Sequence, residues 1–533
     1  MKIVGASLGE CVHIQGVYRF LRLAEQYGHE TEFLGPAVSI DDLVEASKDA
    51  DSIAVSYRLT PENCSNVLDA LERRVREEGL EKRDYLFGGT ELTCEEAKRS
   101  GLFKIVSDGS NMDEVRAYLE GRSSGNEIVE VPPNKILKRI DWKKTPCLRT
   151  HFGLPTIEAT EEGIKKIAEA GVIDVISLGT DQEAQANFFH PERQDKSRAG
   201  AGGVPVRTPE DFKRLWEATQ RGNFPTMRTY AGTDDFTKLA NMYEQVWGNA
   251  WSAVPIFWFN KMDGRGPHDL ESSIKGHLDL IKWSAEHDIP VEILEAHHWG
   301  MRWAHDSVQV AAAVLGAEVA KACSVKDYIH QYMFNVPPES SFTNELAKML
   351  AVEDLLDPLE DNNFMIYHQT RTGLPSFPQN MEAARGQLAS STMLQMQLKP
   401  DIIHVVNYSE PHHAATPEDV ISSAYLVNQA VKNALGAPDM TSDYLVQNRK
   451  KELIGEARYL LKTIREQTDL LHPEDLARVV TSGIFDAPML QGNKYARGQV
   501  RTEFKHGMGY AVDKHGNSLK EYERIQSLSG EAA

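Results

Sequence analysis

The sequence has no run of about 20 consecutive apolar residues, the length a helix needs to cross a bilayer, so no membrane span is expected. It has only five cysteines in 533 residues: Cys11, Cys64, Cys94, Cys147 and Cys323. They are scattered and form no Cys-x-x-Cys pair. That argues against a zinc ribbon or a disulfide framework and fits a reducing cytoplasm. Basic excess is also missing: 58 Lys and Arg against 78 Asp and Glu give a net charge of -20. Nucleic acid needs a basic surface, so it is not an expected partner, and the charge reads as solubility. Met1-Lys2-Ile3-Val4 enters a strand at once, which leaves no room for a signal peptide. Gly200-Ala-Gly202-Gly203 is followed by Val-Pro-Val rather than a helix start, so it is no dinucleotide fingerprint. No His-x-x-x-His helix accompanies the pairs His297-His298 and His412-His413, which weighs against a metal site there.

What is present is an organised opening. Ile3-Val4-Gly5-Ala6 reads as a strand, Gly9-Glu10-Cys11-Val12-His13-Ile14-Gln15-Gly16 as a loop, and Val17 to Gly28 has helical spacing of apolar residues. A strand, a loop carrying a histidine and a glycine, then a helix, is a Rossmann-like beginning. His13 would sit at the C-terminal edge of the sheet, where such folds bind ligands. Alternation continues to about residue 121. Strands are expected at Lys2–Ala6, Glu30–Leu34, Ser52–Ser56, Tyr85–Phe87 and Lys104–Val106, with helices between them. Asp108-Gly109 ends the fifth strand. Residues 122–149, with Gly121-Arg-Ser-Ser-Gly-Asn126 and Pro132-Pro133, read as a linker.

From 150 to 440, strand and helix alternate again. Seven strands are expected: Ile173–Gly179, Thr226–Tyr230, Val254–Asn260, Val291–Glu295, Tyr328–Phe334, Phe364–Gln369 and Ile402–Asn407. The eighth falls near Val479–Thr481 or just before Gly153. Repeat length and count point to a (β/α)8 barrel of the TIM type. Polar residues gather at the strand C-termini, as a barrel active site requires. They are Asp181; Arg228 and Tyr230; Asn260, Asp263 and Arg265; Glu295, His297, His298 and Arg302; Gln331 and Asn335; His368, Gln369 and Arg371; Asn407, Glu410, His412 and His413. Arginines bind carboxylates bidentately, and Arg198, Arg228, Arg302 and Arg371 are placed for that by the strand count, with Tyr230 and His298 beside them. Glu295 or Glu410 is a candidate base, or a partner for a substrate amine. Residues 441–533 open with a helix at Asp443–Leu471 and continue as a folded extension packed on the barrel.

The first loop resembles the cobalamin-binding motif Asp-x-His-x-x-Gly. His13 and Gly16 occupy its histidine and glycine, while Cys11 stands where that family has aspartate. Ser56 in Ser52-Ile-Ala-Val-Ser56-Tyr57-Arg58-Leu59 matches the serine of a later Ser-x-Leu, with Arg58 in place of the leucine. Gly88-Gly89 in Tyr85-Leu-Phe-Gly88-Gly89-Thr90 matches a glycine pair that lines the slot for the cofactor's nucleotide tail. The resemblance implies a flavodoxin-like cobalamin domain with His13 as lower ligand to cobalt, and Gly16, Ser56, Gly88, Gly89 and Asp108 around the cofactor.

The barrel resembles the large subunit of glutamate mutase (methylaspartate mutase). Four stretches carry this: Arg198-Ala-Gly-Ala-Gly-Gly203-Val-Pro, Val291-Glu-Ile-Leu-Glu295-Ala-His-His-Trp-Gly-Met-Arg302, Ser409-Glu410-Pro411-His412-His413, and Gly483-Ile-Phe-Asp486-Ala-Pro with Gly492-Asn-Lys494-Tyr495-Ala. The family's arginine-histidine-glycine loop is here Glu295-Ala-His297-His298-Trp299-Gly300. The resemblance implies an adenosylcobalamin-dependent radical carbon-skeleton mutase, an isomerase of a carboxylate-bearing small molecule, and a homodimer. Catalytic roles would fall to Glu295, Arg302, Arg371 and Glu410. Two alternatives stand beside it: a methyltransferase using methylcobalamin, and a non-catalytic cobalamin sensor or carrier. The usual methyltransferase modules put a helical cap before the Rossmann domain, and here the strand starts at Lys2.

Overall fold

The computed structural model describes residues 1–109, 112–121 and 131–530. The chain divides into two units, Met1–Glu130 and Val131–Ala533. No helix among the described residues is long and apolar enough to cross a membrane.

In the first unit, β1 (Lys2–Leu8), β2 (Glu30–Val38), β3 (Ser52–Tyr57), β4 (Asp84–Gly89) and β5 (Ile105–Ser107) pair in parallel in the order β2-β1-β3-β4-β5. Four of the five contain the expected strands and run past them by a residue or more, and β5 is shifted one residue towards the C-terminus. Every residue of β3 is buried, as befits a strand covered by helices on both faces. Side chains alternate between two cores. Val4, Ala6, Ile53 and Val55 join one, while Ile3 and Ala54 join the other. The helix Gln15–Gln26 buries Val17, Leu21 and Ala24 on one stripe against the second of these cores. A reciprocal cap between Thr90 and Thr93 starts the helix Glu91–Ser100.

In the second unit eight strands form one parallel sheet: β6 (Cys147–Phe152), β7 (Val175–Leu178), β8 (Thr226–Thr229), β9 (Ser252–Val254), β10 (Val291–Ile293), β11 (Asp327–Phe334), β12 (Met365–Thr372) and β13 (Ile402–Val405). Their order is β8-β7-β6-β13-β12-β11-β10-β9. A single bridge, Tyr230 to Ala253, joins the two ends, so the sheet is a nearly closed barrel. At the C-terminal ends of β6 and β7 the backbones nearly touch. A Cβ on Gly153 would lie 2.1 Å from the Gly179 carbonyl oxygen, and one on Gly203 would lie 2.2 Å from the same atom. Only glycine allows that approach.

One open choice is decided and two expectations are corrected here. The eighth strand is β6, just before Gly153, whereas Val479–Thr481 ends a helix, Pro473–Thr481. The expected strand Val254–Asn260 stops at Val254. Ile256, Phe257, Trp258 and Phe259 are buried, but the Ile256 and Phe257 N–H groups donate to the Glu295 carboxylate instead of a neighbouring strand. A side chain thus supplies the backbone partners that a ladder otherwise would. The expected linker 122–149 lies outside the described residues over 122–130. From 131 it belongs to the barrel unit, with a helix at Ile136–Trp142 and the start of β6. Arg139 on that helix is fully buried and donates to the carbonyls of Pro133, Asp174 and Phe224.

The C-terminal extension packs its helix Tyr444–Arg465 on the barrel helices Asp306–Ala322 and Phe342–Leu356. Buried polar contacts lock it there. Arg449 donates to Asp306 at 2.7 Å and to Asn344 at 3.1 Å, and Glu521 pairs with His305. Asp486, in the Gly483–Pro488 turn, accepts the N–H groups of Ala487, Gly498, Gln499 and Val500 at 2.8–3.0 Å.

Candidate functional site

In the first unit the order of strands reverses between β1 and β3. The crevice beyond their C-terminal ends is where open parallel sheets bind ligands. The loop after β1 carries His13, and Ser56 lies near the end of β3. His13 is exposed. Its Nδ1 lies 3.7 Å from the sulfur of Cys11, which is fully buried and also accepts the Arg58 N–H at 3.4 Å. Its Nε2 makes no hydrogen bond among the described residues. The Ser56 hydroxyl donates to the His13 carbonyl at 3.2 Å, which ties the histidine loop to β3. A Cβ on Gly16 would meet nothing within 4 Å, and one on Gly88 only ordinary contacts. Gly89 is different: a Cβ there would collide with Thr93, Phe87 and the Tyr57 carbonyl, so packing within the unit itself requires glycine. Asp108 is exposed, just past β5.

At the barrel mouth, strand register does the assembling. Arg371, His404 and Arg149 are neighbours across β12, β13 and β6, and His151, Ser177 and Arg228 are neighbours across β6, β7 and β8. Arg149 donates to Ser177 at 2.7 Å and to Gln369 at 2.8 Å. Glu292 lies 3.5 Å from Arg149 and 3.6 Å from Arg228, and accepts from Trp251 and Gln369. Arg228 is fully buried over the Tyr230 and Trp251 rings. This layer fills the barrel and sets two arginines against one glutamate, although no Arg228 guanidinium nitrogen has a hydrogen-bond partner among the described residues.

Arg371 is not spent. It is half-buried, donates one long hydrogen bond to the Thr372 carbonyl at 3.4 Å, and forms no ion pair among the described residues. Burial lowers its pKa, and the charge of Arg149 acts in the same direction. Arg302 lies over the Trp258 ring, donates to the His298 carbonyl and sits 3.6 Å from Asp263. Burial pulls its pKa down to about 10. Arg198 makes its contacts within its own loop, with Gln182 and Glu183.

Four histidines share the mouth with these cations. Burial, then neighbouring positive charge, holds His151, His297, His298 and His404 well below the ordinary imidazole range, so they are neutral near pH 7. Arg149 and Gln331 can only donate from nitrogen, which assigns tautomers. Arg149 lies 3.4 Å from His151 Nε2, so that nitrogen accepts and Nδ1 carries the proton. Tyr230 Oη lies 2.8 Å from the same Nε2. Gln331 donates to His297 Nδ1 at 2.9 Å, leaving the proton on Nε2. His298 is buried beside Trp258 and Phe259, and neither of its ring nitrogens has a partner among the described residues. A neutral imidazole buried with an unmatched N–H is costly unless something else meets it.

The two glutamates differ. Glu295 accepts the Ile256 and Phe257 N–H groups on Oε1 and the Trp299 indole N–H on Oε2 at 3.3 Å. Burial raises its pKa to about 7 against those donors. Glu410 uses Oε1 alone, on the Asn407 N–H and side-chain amide at 2.9 and 3.1 Å, and burial raises its pKa too. Other expected mouth residues serve their own loops. Asp181 binds Arg207 with both oxygens, Asp263 binds Arg265, Asn335 ties Glu345 to Ser391, and His413 pairs with Asp419. Arg149, His151, Glu292 and His404 were missed by reading the sequence. The signal for two of them is alternation: Arg149 and His151 stand two apart in Cys147–Phe152, hence on one face.

No family model matches the sequence, and no curated protein matches it. Among solved structures, a cobalamin-binding protein from Desulfitobacterium hafniense DCB-2 aligns at 26% identity over 22% of this chain and 56% of its own, with a TM-score of 0.19. The cobalamin-dependent S-adenosylmethionine radical enzyme OxsB aligns at 9% identity over 89% of this chain and 63% of its own, also at 0.19. The chain thus spans less than two thirds of the length of either. At that score neither alignment defines a shared fold.

Proposed function

We propose that the chain is a cobalamin-dependent enzyme, a radical carbon-skeleton mutase acting on a small carboxylate-bearing substrate. The observation that carries this reading is His13. It is an exposed imidazole at the reversal point of a parallel sheet in 2-1-3-4-5 order, the flavodoxin-like order. Nδ1 is turned to the Cys11 sulfur, and Nε2 is unclaimed. A ligating histidine needs that arrangement, with one nitrogen held from behind and the other offered to the metal. Ser56 anchors the loop, Gly16 and Gly88 keep the approach low, and Asp108 borders it. These residues would hold the cofactor.

Adenosylcobalamin held by these residues would supply the radical chemistry that such a rearrangement needs. The protein's own part lies in the barrel mouth. Arg371, which makes no ion pair among the described residues and feels Glu410 and Glu292 only through space, offers its guanidinium to a substrate carboxylate bidentately. His298, neutral and without a hydrogen-bond partner among the described residues, offers a hydrogen bond to the same or a second polar group, and Tyr230 is held in place by His151. Glu410, with Oε2 uncommitted and a raised pKa, is the group able to take or give a proton. Glu295 holds the 256–257 loop, and Arg302 holds the His298 loop. The buried Arg149–Glu292–Arg228 layer closes the barrel below the site and keeps water out from beneath.

The test is retention of cofactor. Full-length protein is incubated with adenosylcobalamin or methylcobalamin, freed of excess by gel filtration, and read by visible absorption beside His13→Ala. Red cofactor retained by wild type, with a spectral shift that the variant lacks, is the expected result. Wild type that retains neither form overturns the proposal.

A further inference from the structure

The loops that follow β7, β8 and β9 bring together four metal-ligating side chains, none of them a member of the arginine–histidine cluster. His190 comes from the first loop, Asp234 and Asp235 from the second, and His268 from the third. His190 Nε2 lies 3.0 Å from Asp235 Oδ2, and His268 Nε2 lies 2.8 Å from Asp234 Oδ1. One ligand atom each from His190, Asp234 and Asp235 falls within 4.8 Å of the others, and all three residues are half-buried.

Two features go beyond proximity. Asp235 precedes the helix Phe236–Trp247, where an aspartate ordinarily accepts the first free N–H groups of the helix. It makes no such bond. Its backbone is left-handed at φ 48° and ψ 33°, and its carboxylate faces His190 on one oxygen and Lys238 on the other. The second feature is an outer carboxylate. Glu192 Oε1 lies 3.3 Å from His190 Nδ1, the nitrogen opposite the one that faces Asp235. A carboxylate behind one ring nitrogen, with the other aimed at acidic oxygens, is how metal-binding histidines are held.

We propose that His190, Asp234 and Asp235 bind a divalent first-row transition metal, with Glu192 orienting His190 and His268 hydrogen-bonded to Asp234. One imidazole and two carboxylates suit zinc, manganese or ferrous iron better than a thiolate-seeking ion, and three protein ligands leave a position for water. Such an ion ties three consecutive loops of the barrel rim. The site owes nothing to cobalamin, and its test uses protein free of it.

Untagged full-length protein is stripped with a chelator, loaded with zinc, freed of excess, and analysed by elemental mass spectrometry and thermal unfolding. One zinc per chain and a Tm above that of the stripped protein are expected. His190→Gln and Asp235→Asn lose the stoichiometric zinc, and His268→Ala weakens binding about 10–100-fold. Wild type that takes up no stoichiometric zinc overturns the proposal, as does equal uptake by the His190 and Asp235 variants. Should those variants fail to fold, the wild-type Tm decides: no rise with zinc over the stripped protein refutes the site.

Discussion

Replacing Glu295 with glutamine isolates the cost of a buried carboxylate. The ordinary value for the group is 4.5, and burial places it at about 7 in the folded protein. A raised folded pKa means that the native state binds the proton more tightly than the unfolded chain does. The associated stability is complete below about pH 4.5 and is lost as pH rises to about 7. The shift corresponds to about 3 kcal/mol. Glutamine imitates the protonated form, since its carbonyl can still accept from Ile256 and Phe257. Glu295→Gln therefore matches wild type near pH 4.5 and is more stable by about 3 kcal/mol at pH 8. All eight tryptophans lie in the second unit, so urea unfolding followed by tryptophan fluorescence reports on that unit alone. The quantity to plot is the difference in unfolding free energy between the two proteins against pH, which cancels the other titrating groups. A difference that stays flat within about 1 kcal/mol from pH 4.5 to 8, or that favours wild type at high pH, refutes the reasoning.

Three other perturbations separate structural from ligand-binding roles. Asp486→Ala strips the acceptor from four backbone N–H groups, two of them on buried residues, and should cost about 4 kcal/mol, with new protease cleavage in 487–500 as the readout. Arg149→Met leaves Glu292 as an under-compensated buried charge and should cost about 3–5 kcal/mol in the same urea assay. Arg371→Met removes one long hydrogen bond and should cost less than about 1 kcal/mol, while abolishing uptake of a carboxylate ligand at the mouth. A large stability loss for Arg371→Met would show that its charge is spent within the fold.

Much of this protein is written locally. The five strands of the first unit and six of the eight barrel strands were legible because parallel strands buried on both faces appear as short apolar runs between helical periods. His13, Gly16 and Ser56 were singled out by resemblance to a motif, and alternation supplied only their expected places in loops and at strand ends. The strand Cys147–Phe152 was harder, since Arg149, Thr150 and His151 make it look polar. Its inward face is polar because Gln369, Ser177 and Tyr230, from three other strands, meet it there. Ile256–Phe259 read as strand because apolar content reports burial, and a buried loop is equally apolar when a distant carboxylate serves its N–H groups. Which arginine is free was likewise a tertiary decision. Arg149, Arg228, Arg302 and Arg371 are the same residue in the sequence. Only the placement of Glu292 between two of them and Asp263 near a third leaves Arg371 without an ion pair among the described residues. Local periodicity encodes where a strand ends. Which charge finds a partner depends on contacts between residues far apart in the chain, and only the closed barrel brings them together.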